Sequence, residues 1–145
     1  REKVPAALCR KVATVEPGGE IELWGDGEQT GSFCYVDDSV EGIYRLIHSD
    51  YPEPLNIGTE DMVTVNELAN MIIGLSGKDD VTLRHVDGPQ GVRGRNSDNR
   101  RLREVLGWEP SVPLMQGLEP TYRWIEKQVA SAGTFRFFEG TALDA

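Results

Sequence analysis

Apolar residues recur along this chain at two spacings, and the alternation between them lays out a sequence of elements. Leu8, Val12 and Val15 stand at i, i+4 and i+7, which predicts a helix over residues 3–15. Pro5 belongs in its first turn, and Pro17-Gly18-Gly19 closes it. The period then drops to two. Glu20 to Trp24 and Ser32 to Val36 alternate as strands, and the Gly-rich stretch between them reads as a hairpin turn or a longer functional loop. Asp37-Asp38-Ser39 predicts the start of a helix reaching about Ser49, with Val40, Ile43, Tyr44 and Ile47 on one face. Leu55-Asn56-Ile57-Gly58 reads as a short strand buried in a parallel sheet. Thr64 and Glu67 form a capping box ahead of Leu68, Met71, Ile72 and Leu75, and Gly77 stops that helix. A strand follows over 81–86. Ser97 or Asp98 then caps a short helix bearing Leu102, Val105 and Leu106, and Leu114, Leu118, Tyr122, Ile125 and Val129 trace a final one. Strands alternating with helices specify the α/β class. Residues 1–130 carry the pattern; 131–145 have no usable period and read as a tail.

Composition narrows the partners. With 24 acidic against 15 basic residues the net charge is -9, which argues against nucleic acid or an anionic membrane, since both need a positive field. No apolar run approaches the ~20 residues of a bilayer span. Cys9 and Cys34 are too few for a disulfide framework, so a reducing, cytoplasmic compartment is expected. Two His and two Cys without paired spacing make no metal site. Glycine-rich dinucleotide and triphosphate loops are missing, and the chain opens on Arg1 directly before a helix. Together these lead us to expect the middle of a longer protein whose cofactor site lies elsewhere.

One stretch departs from the acidic background. Gly88-Pro-Gln-Gly-Val-Arg-Gly-Arg-Asn-Ser-Asp-Asn99 is too glycine-rich for a strand or a helix interior, yet it presents Arg93 and Arg95 on a shaped loop. Arg93, Arg95, Arg100, Arg101 and Arg103 stand against Asp98 alone, a local charge of +4. Fork-shaped guanidinium groups grip phosphate oxygens bidentately, so Arg93 and Arg95 are candidate anion ligands, while Arg100, Arg101 and Arg103 read as the solvated face of the next helix.

Trp24-Gly-Asp-Gly-Glu-Gln-Thr-Gly-Ser-Phe-Cys-Tyr-Val-Asp-Asp38 followed by Pro54-Leu-Asn-Ile-Gly58 resembles the C-terminal half of extended short-chain dehydrogenase/reductases that act on nucleotide sugars. Arg1-Glu-Lys-Val-Pro-Ala-Ala7, Cys9-Arg-Lys11, the arginine loop and Leu106-Gly-Trp-Glu-Pro110 narrow the resemblance to GDP-mannose 3,5-epimerases, over about residues 1–130. The resemblance implies a Rossmann-type enzyme whose NAD-binding N-terminal part is absent here. It implies a GDP-mannose substrate and a homodimer formed through that other half. In such enzymes C4 of the mannose is oxidised transiently, a Cys/Lys pair inverts C3 and C5, and the hydride returns. Lys3 is then the catalytic lysine, and an ammonium in that role needs a pKa lowered from ~10.4. Glu2, Lys3, Val4, Lys11, Gln29, Thr30 and Arg95 fall on positions that contact the nucleotide sugar, and Arg93 or Arg95 stands in for a phosphate-binding arginine that is Gly31 here. Some elements, the helix from Asp38 and the strand at Asn56 among them, would complete the sheet of the absent part.

Overall fold

The computed structural model describes residues 3–88 and 92–131. In chain order it has α1 (Val4–Thr14), β1 (Glu20–Trp24), β2 (Thr30–Gly31), α2 (Val36–Ile47), β3 (Val63–Thr64), α3 (Val65–Ser76), β4 (Thr82–Val86), α4 (Arg100–Leu106) and α5 (Leu114–Ser131). β1 and β4 run parallel, Glu20 opposite Thr82 through Trp24 opposite Val86, and β2 and β3 pair antiparallel, Thr30 opposite Thr64. Helices α1, α3 and α5 pack on one another beside β1.

Side-chain period explains the layering. Ile21 and Leu23 of β1 point inward, while Glu20 and Glu22 face out and pair with Arg84 of β4. The inward residues meet Leu8, Cys9 and Val12 of α1, Leu68 and Ile72 of α3, and Leu118, Tyr122 and Ile125 of α5. Burying each Leu or Ile in this way contributes about 1.5–3 kcal/mol. The Cys9 thiol is pushed up to about 11 by burial, so Cys9 is a packing residue and no nucleophile. Two local devices set the helix ends. The Thr64–Glu67 capping box forms at α3, with Glu67 N donating to Thr64 Oγ1 at 3.0 Å and Thr64 N donating to Glu67 Oε2 at 2.7 Å. Lys78 closes α1 from outside: its ammonium donates to the carbonyls of Val12, Ala13 and Val15 at 2.9, 3.2 and 2.7 Å, where the helix dipole is negative.

The structure corrects three expectations: the strand at 32–36, the strand at 55–58 and the cap of α4. Residues 32–36 form no strand and no hairpin with β1. Tyr35 is the N-cap of α2, its carbonyl accepting from Ser39 N at 3.0 Å, so the alternation of Phe33 and Tyr35 gives way to a helix start. Leu55 to Gly58 pair with no described strand; side chains tie the segment down instead. The face of Val40, Ile43, Tyr44 and Ile47 is there, but it is turned outward at 52–73% exposure. Helix α2 docks through its opposite side. Asp38 Oδ2 accepts from the amides of Ser111 and Val112 at 2.9 and 2.8 Å. One turn on, Gly42 lies so close to Ile57 and Trp108 that a Cβ would come within 2.8 Å of both. Asp37 and Asp38 thus serve the first turn and an anchor. For α4 the N-cap is Asn99 rather than Ser97 or Asp98, although Asp98 Oδ1 accepts from Arg100 N at 3.1 Å. Among the described residues no helix is long and apolar enough to cross a membrane.

Candidate functional site

The site is built around the exit of β1. Gly25 and Gly27 take left-handed backbone (φ 78° and 72°), which turns the chain through Asp26 toward β2. Asn66, at the start of α3, holds this turn. Its Nδ2 donates to Asp26 O at 3.1 Å and Glu28 Oε1 at 2.8 Å, while its Oδ1 is 2.8 Å from His85 Nε2. Because Oδ1 only accepts, His85 carries its proton on Nε2 in this arrangement. His85, to which the sequence assigned nothing, therefore orients a loop.

The next residues, Gln29 to Ser32, form the middle rung of a three-part layer. On one side lies β3, with Val65 N donating to Gln29 O at 3.0 Å. On the other lies the arginine loop, with Thr30 N donating to Arg93 O at 2.9 Å and Ser32 N to Arg95 O at 3.2 Å. Gly94 is required at that seam, because a Cβ there would sit 2.4 Å from Thr30 Oγ1. The structure thus brings together Gln29, Thr30, Arg93 and Arg95, four of the residues the sequence pointed to.

The two loop arginines have different surroundings. Arg93 Nη1 donates to both carboxylate oxygens of Asp26, at 2.8 and 3.1 Å, and holds the Asp26 acid below the usual carboxylate range. Arg95 has no carboxylate partner among the described residues. It lines a cleft of about 430 Å³ together with Gly31, Ser32, Asn56, Gly58 and Ser97. The far wall is braced by Glu60, whose Oε1 accepts from Asn99 N at 2.8 Å and from Arg103 Nη1 at 3.2 Å, and by Asn99 Nδ2 donating to Gly58 O at 2.9 Å. Arg100 pairs with Asp98, whose acid is drawn down to about 2, and Arg103 also with Glu109, as expected of a solvated helix face. A second, more apolar cleft of about 400 Å³ shares Ser32 and Cys34 with the first and reaches Pro5, Tyr35 and Pro113. The two clefts thus lie on either side of Ser32 and Cys34, and the second reaches the start of α1 at Pro5.

The remaining candidates are Lys3, Val4, Lys11 and Glu2. Lys3 is the N-cap residue of α1 and is exposed; Val4 is 43% exposed, and neither lines the two clefts described above. Lys11 is not in the Arg95 cleft, because its ammonium donates to Glu22 O at 2.6 Å. Glu2 lies outside the described residues. Asp26, Asn66, Glu60 and Asn99 are the members that sequence reasoning missed, and only the Asp in a Gly-Asp-Gly turn offered a local signal.

With this geometry in view, the comparisons with known proteins become readable. The model of the GDP-mannose 4,6 dehydratase family matches residues 1–121. The chain belongs to that family. Within it, the GDP-mannose 3,5-epimerase of Arabidopsis thaliana is 50% identical over 129 residues, covering 89% of this chain and 33% of its own. The family assignment agrees with the resemblance read from the motifs. This chain spans about a third of the length of the curated relatives it matches. The solved UDP-glucose 4-epimerase of Thermotoga maritima, determined with UDP-glucose, superposes with a TM-score of 0.77 at 31% identity, covering 88% of this chain and 40% of that one. The dTDP-glucose 4,6-dehydratase of Bacillus anthracis, determined with NAD, gives a TM-score of 0.72 at 27% identity, over 86% and 39%. The fold is that of the nucleotide-sugar epimerases and dehydratases of the extended short-chain dehydrogenase/reductase class.

Among the described residues no dinucleotide cradle is formed. A dinucleotide cradle needs a strand, a glycine turn and a helix N-terminus in direct succession. Here β1 leads through Gly25–Gly27 into β2, and β4 leads into the arginine loop, so neither glycine turn opens a helix.

Proposed function

We propose that this chain is the nucleotide-sugar-binding part of an NAD-dependent epimerase acting on GDP-mannose, with NAD held by another part of the enzyme. One observation carries the reading: Arg95, without a carboxylate partner among the described residues, faces a cleft formed where the arginine loop is hydrogen-bonded to Gln29–Ser32. A guanidinium in that setting suits a diphosphate, with charge-assisted bonds worth about 1.5–3 kcal/mol each. Gln29 and Thr30 line up the strand that positions Arg95, and Arg93 fastens the loop. From the diphosphate the sugar would extend past Ser32 and Cys34, which line both clefts, toward Pro5 and so toward Lys3. In this reading Lys3 exchanges protons at C3 and C5 of the hexose and Val4 follows it at the start of α1, while Glu2 and Lys11 are assigned to the nucleotide sugar by the motif resemblance alone. The domain so defined is 1–130, soluble and without nucleic-acid or membrane partners, and its enzyme is a cytoplasmic homodimer.

Isothermal titration of the chain with GDP-mannose, GDP, UDP-galactose and phosphate tests this. GDP ligands should bind best, and Arg95→Ala should weaken them about tenfold or more. Equal binding of all four, or no loss in Arg95→Ala, would sink the assignment. A 4-epimerase or 4,6-dehydratase acting on another nucleotide sugar is the second reading, favoured by Gly31, which leaves the cleft floor without a side chain. Preference for UDP-galactose in the same titration would select it.

A further inference from the structure

The two arginines of the loop are two residues apart, so their Cα atoms lie no more than about 7 Å from each other. Both backbones are hydrogen-bonded to the same strand, yet only Arg93 has a carboxylate. That carboxylate is fixed in place. Asp26 Oδ1 accepts from Glu28 N at 2.9 Å, and the Asp26 carbonyl accepts from Asn66 Nδ2 at 3.1 Å. Whatever posture Arg93 takes toward a ligand, the Asp26 charge stays beside it, and the pair sums to zero. Gly31 adds no charge to the cleft floor. Toward the phosphates the loop therefore presents one net cation, Arg95.

We propose that Asp26 is a specificity-determining residue: by offsetting Arg93 it tunes the cleft to a sugar-linked nucleoside diphosphate over the free nucleoside diphosphate. This rests on reading the cleft as a nucleotide-sugar site. The chemistry is a matter of charge. In a sugar-linked diphosphate each phosphate carries one negative charge. The free nucleoside diphosphate gains roughly one more at neutral pH, because a terminal phosphate ionises again near ~6. A site with one net cation rewards that extra charge less than a site with two, so the contacts a sugar makes weigh more in the choice of ligand. A site with two net cations would reward the extra charge and hold the free nucleotide more tightly.

The test is titration of GDP-mannose and GDP against the wild-type chain, Asp26→Asn and the double variant Asp26→Asn/Arg93→Gln, each at two salt concentrations. Asparagine keeps an acceptor for Glu28 N, so the turn is retained; a circular dichroism melt checks this. In Asp26→Asn, GDP should tighten more than GDP-mannose, shifting the ratio of their dissociation constants about threefold to tenfold toward GDP. The affinity for GDP should also become more sensitive to salt, because an exposed cation has lost its offsetting carboxylate. The double variant should return the ratio to its wild-type value. An unchanged ratio in Asp26→Asn, or a shift that survives in the double variant, overturns the proposal. If neither ligand binds the wild-type chain, the nucleotide-sugar reading itself falls; if both bind and the ratio does not move, only the role of Asp26 falls.

Discussion

Helices α2 and α3 are both 12 residues long and both carry a clear apolar stripe, but they use it in opposite ways. On α3, Leu68, Ala69 and Ile72 are fully buried against α1 and α5. On α2, Val40, Ile43, Tyr44 and Ile47 stay 52–73% exposed, and the helix is held by Asp38 and Gly42, four residues apart on its other side. A helical period marks a face; it does not say what covers that face. The contact α2 does make is chosen by small size and hydrogen bonding, since only glycine lets the helix come this close to Ile57 and Trp108.

Substitutions can break that contrast. Ile72→Ala should cost about 2–5 kcal/mol in chemical denaturation, whereas Val40→Ala should fall within about 0.5 kcal/mol of wild type. If Val40→Ala costs as much as Ile72→Ala, the outer stripe of α2 is covered in solution and the contrast fails. Gly42→Ala comes next, at about 1–3 kcal/mol, because the new methyl must displace Ile57 or Trp108. A Gly42→Ala variant with wild-type stability would show that α2 is not docked through this side. The smallest effect concerns the exposed ion pair ahead of α4. The Asp98 acid is lowered to about 2 by the Arg100 guanidinium, so its contact is complete above the ordinary carboxylate value of 3.8 and is lost as pH falls toward about 2. An NMR titration of the Asp98 carboxyl should find its midpoint below that of an unpaired aspartate; a midpoint at 3.8 would refute the pairing.

What the sequence disclosed was local. The Thr64–Glu67 box, the left-handed Gly77 that ends α3, and the alternation of Glu20–Trp24 each depend on neighbours a few residues away, and each is found as read. The arginine loop was legible as a loop bearing cations. Its division of labour was not, because the partner that offsets Arg93 lies 67 residues earlier. The same holds for Leu55–Gly58, where apolar residues suggested a strand but Asn99, 41 positions on, bonds the Gly58 carbonyl, and Ser97 N bonds the next carbonyl, of Thr59. Residues 32–36 failed for a different reason: Phe33 and Tyr35 alternate correctly, but Asp37 and Asp38 impose a helix N-terminus on the same stretch. Lys11 falls within the helix that the spacing of Leu8, Val12 and Val15 predicts, with Lys3 just ahead of it, yet the contact between Lys11 and Glu22 O follows from packing that no local pattern records.

The pairing of β1 with β4 also bears on the order in which the molecule assembles. Glu20 and Thr82 are joined only across a long intervening stretch of chain, and parallel strands so far apart must bear a loop-closure entropy that helices do not. Helix α3, with its own N-terminal box and C-terminal glycine, needs no such closure and is suited to form early. The turn at Asp26 and the entry to the arginine loop both hang from the ends of β1 and β4, with Gly25 N donating to Val86 O at 2.9 Å. On this ground the cleft lined by Arg95 is expected to form late, after the helices that support it, and a chain that stalls before the strands meet would be substantially helical and still lack that cleft.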